Sequence, residues 1–214
     1  VTLTKGNSSL EFQADSLEEN AKADIYFGDP STRAGALVCP GDYTGVENSS
    51  VLNNSDYKEN NLISAGYVEI TLRNVQGEEI KDLSKPANVT MELPRKLQNG
   101  SIASYEQGQS LDWWYFNSTA GVWVKSQNFN ATVKEENNTL FFQAKVDRTG
   151  YWNAAFALNS SCLEVQVVDG KDKPLSDVSV YAQGLSYPSI SVEKTDDSGT
   201  ARLPVMTSSE DKEA

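Results

Sequence analysis

The chain contains no histidine, and this absence removes several kinds of chemistry. Without histidine there is no Ser-His-Asp or Cys-His arrangement for nucleophilic catalysis, and no imidazole ligand for zinc. A glycosidase could still use two carboxylates, but nothing in the sequence singles out a pair among 30 acidic residues. Glycine-rich phosphate-binding loops of standard spacing are also missing. We therefore expect that the protein is not an enzyme and binds no metal.

Cysteine is almost as scarce, since the chain has only Cys39 and Cys162. Two cysteines are too few for a disulfide scaffold, so hydrophobic cores must hold the fold. In an oxidising compartment we expect the two to pair and to tie the first domain to the start of a second. Closing a loop of that length would stabilise by up to roughly 4–5 kcal/mol. The alternative is two free, buried thiols.

The chain also has few positively charged residues and no long apolar segment. The chain has 18 Lys and Arg against 30 Asp and Glu, which gives a formal net charge of -12. Phosphate backbones and anionic membrane surfaces would repel it, so we expect no nucleic-acid partner. No apolar stretch approaches the length of a bilayer span. Val1 does not begin a signal peptide, and we expect that one was removed before it.

What the chain does have in excess is Asn-x-Ser/Thr sequons. None has proline in the middle position, and they begin at Asn7, Asn48, Asn53, Asn88, Asn99, Asn117, Asn130, Asn137 and Asn159. Chance would give roughly three in a chain of this composition. The excess could be an accident of an Asn-rich sequence. We favour a secreted or cell-surface glycoprotein, whose sequons lie in exposed positions because a glycan cannot be buried.

The periodicity of the chain is that of β-strands. Apolar and polar residues alternate in segments 23–27, 66–72, 88–93, 139–146 and 163–168, and turn residues lie between them. This pattern predicts an all-β protein of tandem antiparallel sandwiches, immunoglobulin-like or transthyretin-like, with very little helix. The best helical candidate is the short acidic segment 15–21. The Asn/Ser/Gly-rich stretch 41–61 is interpreted as a long surface loop.

An aromatic block, Asp112-Trp-Trp-Tyr-Phe116 followed by Gly121-Val-Trp-Val124, predicts a β-hairpin. Its connection carries the sequon at Asn117, which we expect to face solvent. Trp113, Tyr115 and Trp123 could form a sugar-binding platform. Core and cross-strand packing is the favoured role.

Two resemblances start from this block. Trp114-Tyr-Phe-Asn117, Gly121-Val-Trp123 and Gly150-Tyr-Trp-Asn153 are similar to a region of extracellular proteins of the cartilage intermediate layer protein type. There a Trp-bearing hairpin leads into a carboxypeptidase-regulatory-like domain. Residues 162–205 resemble that domain, in the opening Cys162–Ala182 and in the turn Thr195-Asp-Asp-Ser-Gly199. The resemblance implies a transthyretin-like sandwich that supports or links other domains, with no catalytic residues.

The aspartates in the turns of this second region can be interpreted in two ways. Asp196 and Asp197 can accept hydrogen bonds from backbone amides ahead of them, and Gly199 can adopt a positive φ. Asp169, Asp172 and Asp196 could instead gather a calcium ion through oxygen ligands. We expect ordinary turns, with no cofactor apart from N-linked glycans.

The sequence divides into a glycosylated sandwich over 1–158 and a second sandwich over 159–214 that stops after about four strands. A half-built sandwich invites strand addition. The free N-terminus alternates at Val1, Leu3, Leu10 and Phe12, so these residues could complete the next molecule and build a head-to-tail fibre. Alternatively, the chain is a fragment of a longer protein that supplies the missing strands.

The function expected from the sequence is therefore a secreted, heavily glycosylated structural protein, a fibre or matrix subunit assembled by strand donation. The alternatives are a carbohydrate- or protein-binding cell-surface module and the non-catalytic accessory domains of a larger secreted protein. Exposure of Trp113 or Trp123 would favour binding through the aromatic hairpin, and burial would favour a structural role.

Overall fold

The computed structural model describes residues 1–14, 16–17, 21–53, 59–185 and 189–207. The described residues form strands, one short α-helix and one 3-10 helix. The strands are β1 (Thr2–Lys5), β2 (Ser8–Glu11), β3 (Lys22–Gly28), β4 (Thr44–Val46), β5 (Asn60–Asn61), β6 (Ile63–Arg73), β7 (Asp82–Glu92), β8 (Ile102–Ala103), β9 (Ser110–Asn117), β10 (Val122–Lys125), β11 (Ala131–Glu136), β12 (Thr139–Arg148), β13 (Gly150–Phe156), β14 (Asn159–Gln166), β15 (Ser179–Gln183), β16 (Ser189–Lys194) and β17 (Thr200–Thr207). The helices are α1 (Arg33–Val38) and the 3-10 helix Ser49–Asn53. The all-β expectation, with very little helix, is confirmed.

Twelve strands form one continuous sheet that folds over itself through β9. The front part of this sheet has the order β1-β2-β7-β12-β11-β9, and the back part has the order β3-β6-β13-β9-β10-β4-β5. Strand β9 belongs to both parts. All pairs are antiparallel apart from β4 and β10, which run parallel. The result is sandwich-like, as the alternating segments predicted.

Alternation along the strands places the main core between the front and back sheets. Val89 and Met91 of β7 point inward and are buried, whereas Asn88 and Thr90 between and beside them face outward. The inward side chains meet Val68 and other residues of the back sheet in one large cluster. Burial of a large apolar side chain contributes about 1.5–3 kcal/mol, so this cluster supplies much of the stability.

The N-terminal strands belong to this same core. Strand β1 pairs with β2, and β2 pairs with β7 at the edge of the front sheet. Leu10 and Phe12 are 0% and 2% exposed, and Leu3 packs against the core. Of these four residues only Val1 has an exposed side chain, at 72%. In this structure the N-terminal strands are therefore not free, because the side chains that would enter a neighbouring molecule already fill a place in their own, and strand donation stays a prediction.

The segment predicted as a surface loop over 41–61 is in part a structural layer. Strand β4 adds to β10, so its backbone is satisfied within the sheet, and Val46 is fully buried. At Gly45 a Cβ would lie 2.9 Å from side-chain atoms of Leu62 and Trp114, so only glycine fits there. This layer covers Trp114, Trp123 and Leu62 in a second small core. Residues 54–58 of the segment lie outside the described part of the chain.

The predicted helix over 15–21 is absent at the three residues of this segment that the structure describes. Ser16, Leu17 and Ala21 are not helical, and residues 15 and 18–20 lie outside the described part of the chain. The helix instead forms at α1, where the side chain of Thr32 caps the N-terminus by accepting a hydrogen bond from the amide of Gly35 at 3.1 Å.

The C-terminal strands form two small sheets. Strand β14 pairs with β17, and β15 pairs with β16, which gives the four strands expected from Cys162 onward. Strand β8 of the preceding part adds to β16, and Met206 of β17 joins the large core. The twelve-stranded sheet ends at Phe156 and β14 begins at Asn159. A domain boundary at 158/159 agrees with this change of sheet and remains a prediction.

Candidate functional site

The aromatic hairpin offers no exposed platform. Trp113 and Trp123 are both 0% exposed, so the packing interpretation is confirmed for them. Trp113 stacks on Trp152 with ring centroids 5.6 Å apart, and its Nε1 donates to the carbonyl of Lys145 at 3.0 Å. Tyr115 is half-buried, beneath the guanidinium of Arg148 at 4.5 Å. Carbohydrate binding on the Trp113 and Trp123 rings would require them to leave the core.

Both cysteines are free thiols in the structure, so the predicted Cys39–Cys162 bond is not formed there. Cys39 follows α1 and packs against the second core beside Tyr43. Burial raises the pKa of the Cys39 thiol from 9.0 to about 11, and the neighbouring Tyr43 hydroxyl opposes the shift. Cys162 lies exposed in β14. The two residues belong to different layers, one under α1 and one in the C-terminal strands.

Five sequon asparagines lie at turns or at the ends of short elements. Asn7 is in the β1–β2 turn, Asn48 precedes the 3-10 helix and Asn53 ends it, Asn117 ends β9, and Asn137 is in the β11–β12 turn with a φ of 50°. All are exposed except Asn117, which is half-buried. The Asn117 side-chain oxygen accepts from the amides of Thr119 and Ala120, both at 3.1 Å, and this fixes the hairpin connection.

Asn99 differs from the others because its acceptor nitrogen is enclosed. The Asn99 side-chain oxygen accepts from the amide and the hydroxyl of Ser101, at 3.1 and 2.7 Å. These bonds turn Nδ2 into the protein, where it is buried without a hydrogen-bond partner. A glycan is attached through that nitrogen, so this geometry is incompatible with the expectation that the Asn99 sequon is exposed.

Asn159 is at the point where the chain passes from the large sandwich to the C-terminal strands. It is half-buried, and its side-chain oxygen accepts from Nδ2 of Asn61 in β5 at 2.6 Å. The bond joins the layer over the back sheet to the first residue of β14.

The two remaining sequons line one groove on the outer face of the front sheet. Asn88 is in β7 and Asn130 immediately precedes β11, and the two strands flank β12. Both residues line a groove of about 680 Å³. Thr90 and Thr132, the hydroxyl residues of the two sequons, both lie opposite Gln143 of β12. They are therefore two strand spacings apart, about 10 Å.

Most of the residues that line the groove are polar, and few side-chain hydrogen bonds join them. Asn88 Nδ2 donates to the carboxylate of Glu11 at 3.3 Å. Lys134 and Lys145 are exposed at the groove, and the half-buried ring of Phe129 gives one apolar wall. Such a surface can bind a hydroxyl-rich, uncharged ligand through amides, hydroxyls and one ring face.

The acidic turns of the C-terminal strands are ordinary turns. Asp196 Oδ1 accepts from the amides of Ser198 and Thr200 and from the Ser198 hydroxyl, and Gly199 has a φ of 75°. The hydroxyl bond from Ser198 is the main cause that lowers the pKa of Asp196. Asp169 Oδ1 likewise accepts from the amides of Lys171 and Lys173. Among the described residues, no group of three or more His, Cys, Asp or Glu is placed to hold a metal ion.

Residues 39–158 match the family described as FAM171A1/A2/B, N-terminal. The match covers more than half of the 214 residues. The chain belongs to this family. The FAM171A1/A2/B N-terminal segment begins at the end of α1 and ends just before β14, so it spans most of the large sandwich, including the aromatic hairpin and the groove.

No curated protein and no solved structure matches the chain. The resemblance of 162–205 to a carboxypeptidase-regulatory-like domain lies outside the matched segment and stays a prediction. In the described ranges of the chain, no helix is long and apolar enough to cross a bilayer.

The groove was not found by sequence reasoning. Its signal was present, because Asn88-Val-Thr90 and Asn130-Ala-Thr132 each place polar residues on one face of a strand and an apolar residue on the other. What the sequence does not state is that the two strands flank β12. That neighbourhood depends on pairing between residues far apart in the chain.

Proposed function

We propose that the chain is an N-glycosylated, non-catalytic structural module of a secreted or cell-surface protein. The observation that supports this proposal best is the position of the sequons. Eight of the nine begin at asparagines in exposed or half-buried places at turns, strand ends or the outer sheet face, without the enclosure of the Asn99 nitrogen. A glycan could therefore be attached at each of these eight sites without being buried in the core.

The physical role of such a coat follows from the surface it covers. The formal charge of -12 keeps copies apart, and bulky, solvated sugars on several faces would do the same. A module of this kind holds domains apart or presents them, and its own core of packed tryptophans needs no ligand. The family match extends over the sandwich that would carry most of the sugars.

The experiment is an intact-mass measurement on the full chain secreted from eukaryotic cells. We expect a heterogeneous mass well above 23.4 kDa that falls close to that value after digestion with an amide-cleaving glycosidase. A secreted product of 23.4 kDa that the enzyme does not change would reject the proposal.

Fibre assembly by donation of residues 1–12 is no longer part of the proposal. Leu10 and Phe12 would have to leave the core of their own molecule before they could complete another. The gain in the acceptor would then be offset by a similar loss in the donor.

A second candidate, self-association through the C-terminal strands, is favoured by their exposed apolar side chains. Leu163, Tyr181 and Leu185 are 45%, 70% and 102% exposed, and among the described strands β14 pairs only with β17. An edge strand of this kind can pair with another copy. Sedimentation velocity tests it: concentration-dependent association should disappear in a Leu163→Lys/Tyr181→Lys variant. A chain that stays monomeric at all concentrations would reject this candidate.

A further inference from the structure

The groove between β7, β12 and β11 brings two glycan acceptor sites to one binding-sized concavity. Its volume of about 680 Å³ is within the range of roughly 300–1,000 Å³ that is usual for ligand sites. Asn88 lies half-buried in the sheet that forms the floor, whereas Asn130 is exposed at one end of β11. A sugar attached to Asn88 therefore begins inside the groove.

Polar side chains along the floor have unused hydrogen-bonding capacity. Thr90, Gln143 and Thr132 form a row across three strands, and none of them makes a side-chain hydrogen bond to another described residue. Hydroxyl and amide groups in a row can donate to and accept from the hydroxyl and acetamido groups of a sugar. The ring of Phe129 adds an apolar surface against which a sugar ring can lie.

The ionic groups around this row nearly cancel, since one carboxylate and two ammonium groups leave a net charge of one positive unit. Glu11 accepts from Asn88 at one side, and Lys134 and Lys145 are exposed beside it. This leaves no strong field that would select a highly charged ligand. Neutral, hydroxyl-rich chemistry fits the groove better than a phosphate or a nucleotide.

We propose that this groove is a saccharide-binding site and that the first sugars of the chain's own Asn88-linked glycan occupy it. The proposal rests on the proposed function, since it requires that Asn88 is glycosylated. Seated there, the glycan covers the outer face of β7 and β12 and is held against the fold. The same groove would also accept the core of a glycan carried by another molecule, and the experiment separates these two sources.

The first arm measures release of each glycan from the folded, secreted protein by an amide-cleaving glycosidase. The glycan on Asn117, at a hairpin end away from the groove, is the matched control. We expect release from Asn88 to be at least tenfold slower than from Asn117, and the two rates to become equal once the protein is unfolded. Gln143→Ala, which leaves every sequon intact, should raise the Asn88 rate toward that of Asn117.

The second arm titrates the protein with a free N-glycan core oligosaccharide. We expect weak binding to the Asn88→Gln variant, in which the groove is vacated, and none to the wild type. Asn88→Ser removes the same sequon by a different change, leaves the row of Thr90, Gln143 and Thr132 intact, and guards against a folding defect of the first variant, with circular dichroism as the check on fold. Binding to either variant should be lost when Gln143→Ala is added.

The outcomes separate the claims. Equal native-state release from Asn88 and Asn117, together with no oligosaccharide binding, overturns the proposal. If the wild type carries sugar on Asn88 and still binds the oligosaccharide, the own-glycan source is wrong and the groove takes sugar from another molecule. If no site is glycosylated, the proposed function fails, while oligosaccharide binding would still support a saccharide groove.

Discussion

Asn99 and Asn117 carry the same sequence motif in opposite environments. In both, the side-chain oxygen accepts backbone amides in a turn, but only at Asn99 is Nδ2 buried without a partner. The sequence cannot distinguish them, because the difference arises from the direction in which the turn points. Whether a single side chain faces solvent or the protein interior was the feature that the sequence predicted least well.

The first prediction concerns this pair. Asn99→Asp and Asn117→Asp each keep the accepting oxygen and remove one sequon. On the secreted protein, Asn117→Asp should increase gel mobility by one glycan, whereas Asn99→Asp should leave mobility unchanged. A one-glycan shift for Asn99→Asp would show that the Asn99 nitrogen is accessible when the sugar is added.

The second prediction concerns the two thiols. At pH 8 Cys162 should be alkylated rapidly, and Cys39 at least tenfold more slowly, because Cys39 is half-buried and its pKa is raised to about 11. Folding raises this pKa above its ordinary value of 9.0, so the associated stabilisation is present below pH 9 and is lost as the pH rises through 11. Both thiols should react equally after unfolding.

Mass mapping of the alkylated peptides checks this prediction. If neither thiol reacts without a reducing agent, the Cys39–Cys162 disulfide expected from the sequence exists after all. Equal native rates would contradict the burial of Cys39.

The third prediction concerns a glycine in α1. An alanine usually stabilises a helix relative to glycine by about 1 kcal/mol. At Gly35, however, a Cβ would lie 1.9 Å from the carbonyl oxygen of Asp29, and the Gly35 carbonyl accepts the hydroxyl of buried Tyr67 at 2.6 Å. Gly35→Ala should therefore destabilise by about 1–3 kcal/mol.

Gly170 is the matched control, since nothing lies within 4 Å of its added Cβ and its φ is not positive. Gly170→Ala should change the free energy of unfolding by less than about 0.5 kcal/mol. Urea unfolding measures both variants. A neutral Gly35→Ala would mean that α1 is not held against Asp29 and Tyr67 as described.

At the scale of elements, long alternating strands were predictable and covering elements were not. Segments 66–72 and 139–146 lie in strands of the sandwich, and 88–93 does so except for Leu93, because period-two alternation directly reports one buried face. Strand β4 has only three residues and α1 only six, and their pairing depends on the distant β10 and Tyr67. Short elements placed by tertiary contacts leave little local signal.

The fourth prediction concerns the β1–β2 hairpin. Leu10→Ala should destabilise the isolated chain by about 2–5 kcal/mol and Phe12→Ala by about 3–5 kcal/mol, because both side chains are in its own core. Val1→Ala should be neutral, since Val1 is 72% exposed. Equilibrium unfolding at low protein concentration provides the measurement. Full stability of the Leu10 and Phe12 variants as monomers would restore the idea of a donated strand.

At the scale of the whole molecule, the alternation of apolar and polar residues predicted the fold class correctly. The order of the strands within the sheets could be learned only from the structure. Alternation predicted an all-β protein, and the described residues from Asn159 onward form four strands, the number expected. The shared strand β9 and the addition of β8 to β16 were missed, because each depends on pairing between residues distant in the chain. The same long-range pairing creates the groove, which is why its two sequons appeared unrelated in the sequence.

The central claim is that this fold displays N-glycans outward, and glycopeptide mapping of the secreted chain tests it most directly. Enzymatic release in heavy-oxygen water marks each formerly occupied asparagine as a labelled aspartate. We expect at least five occupied sites, with Asn117 among them and Asn99 empty. An unlabelled chain, or occupancy at Asn99 equal to that at Asn117, would contradict it.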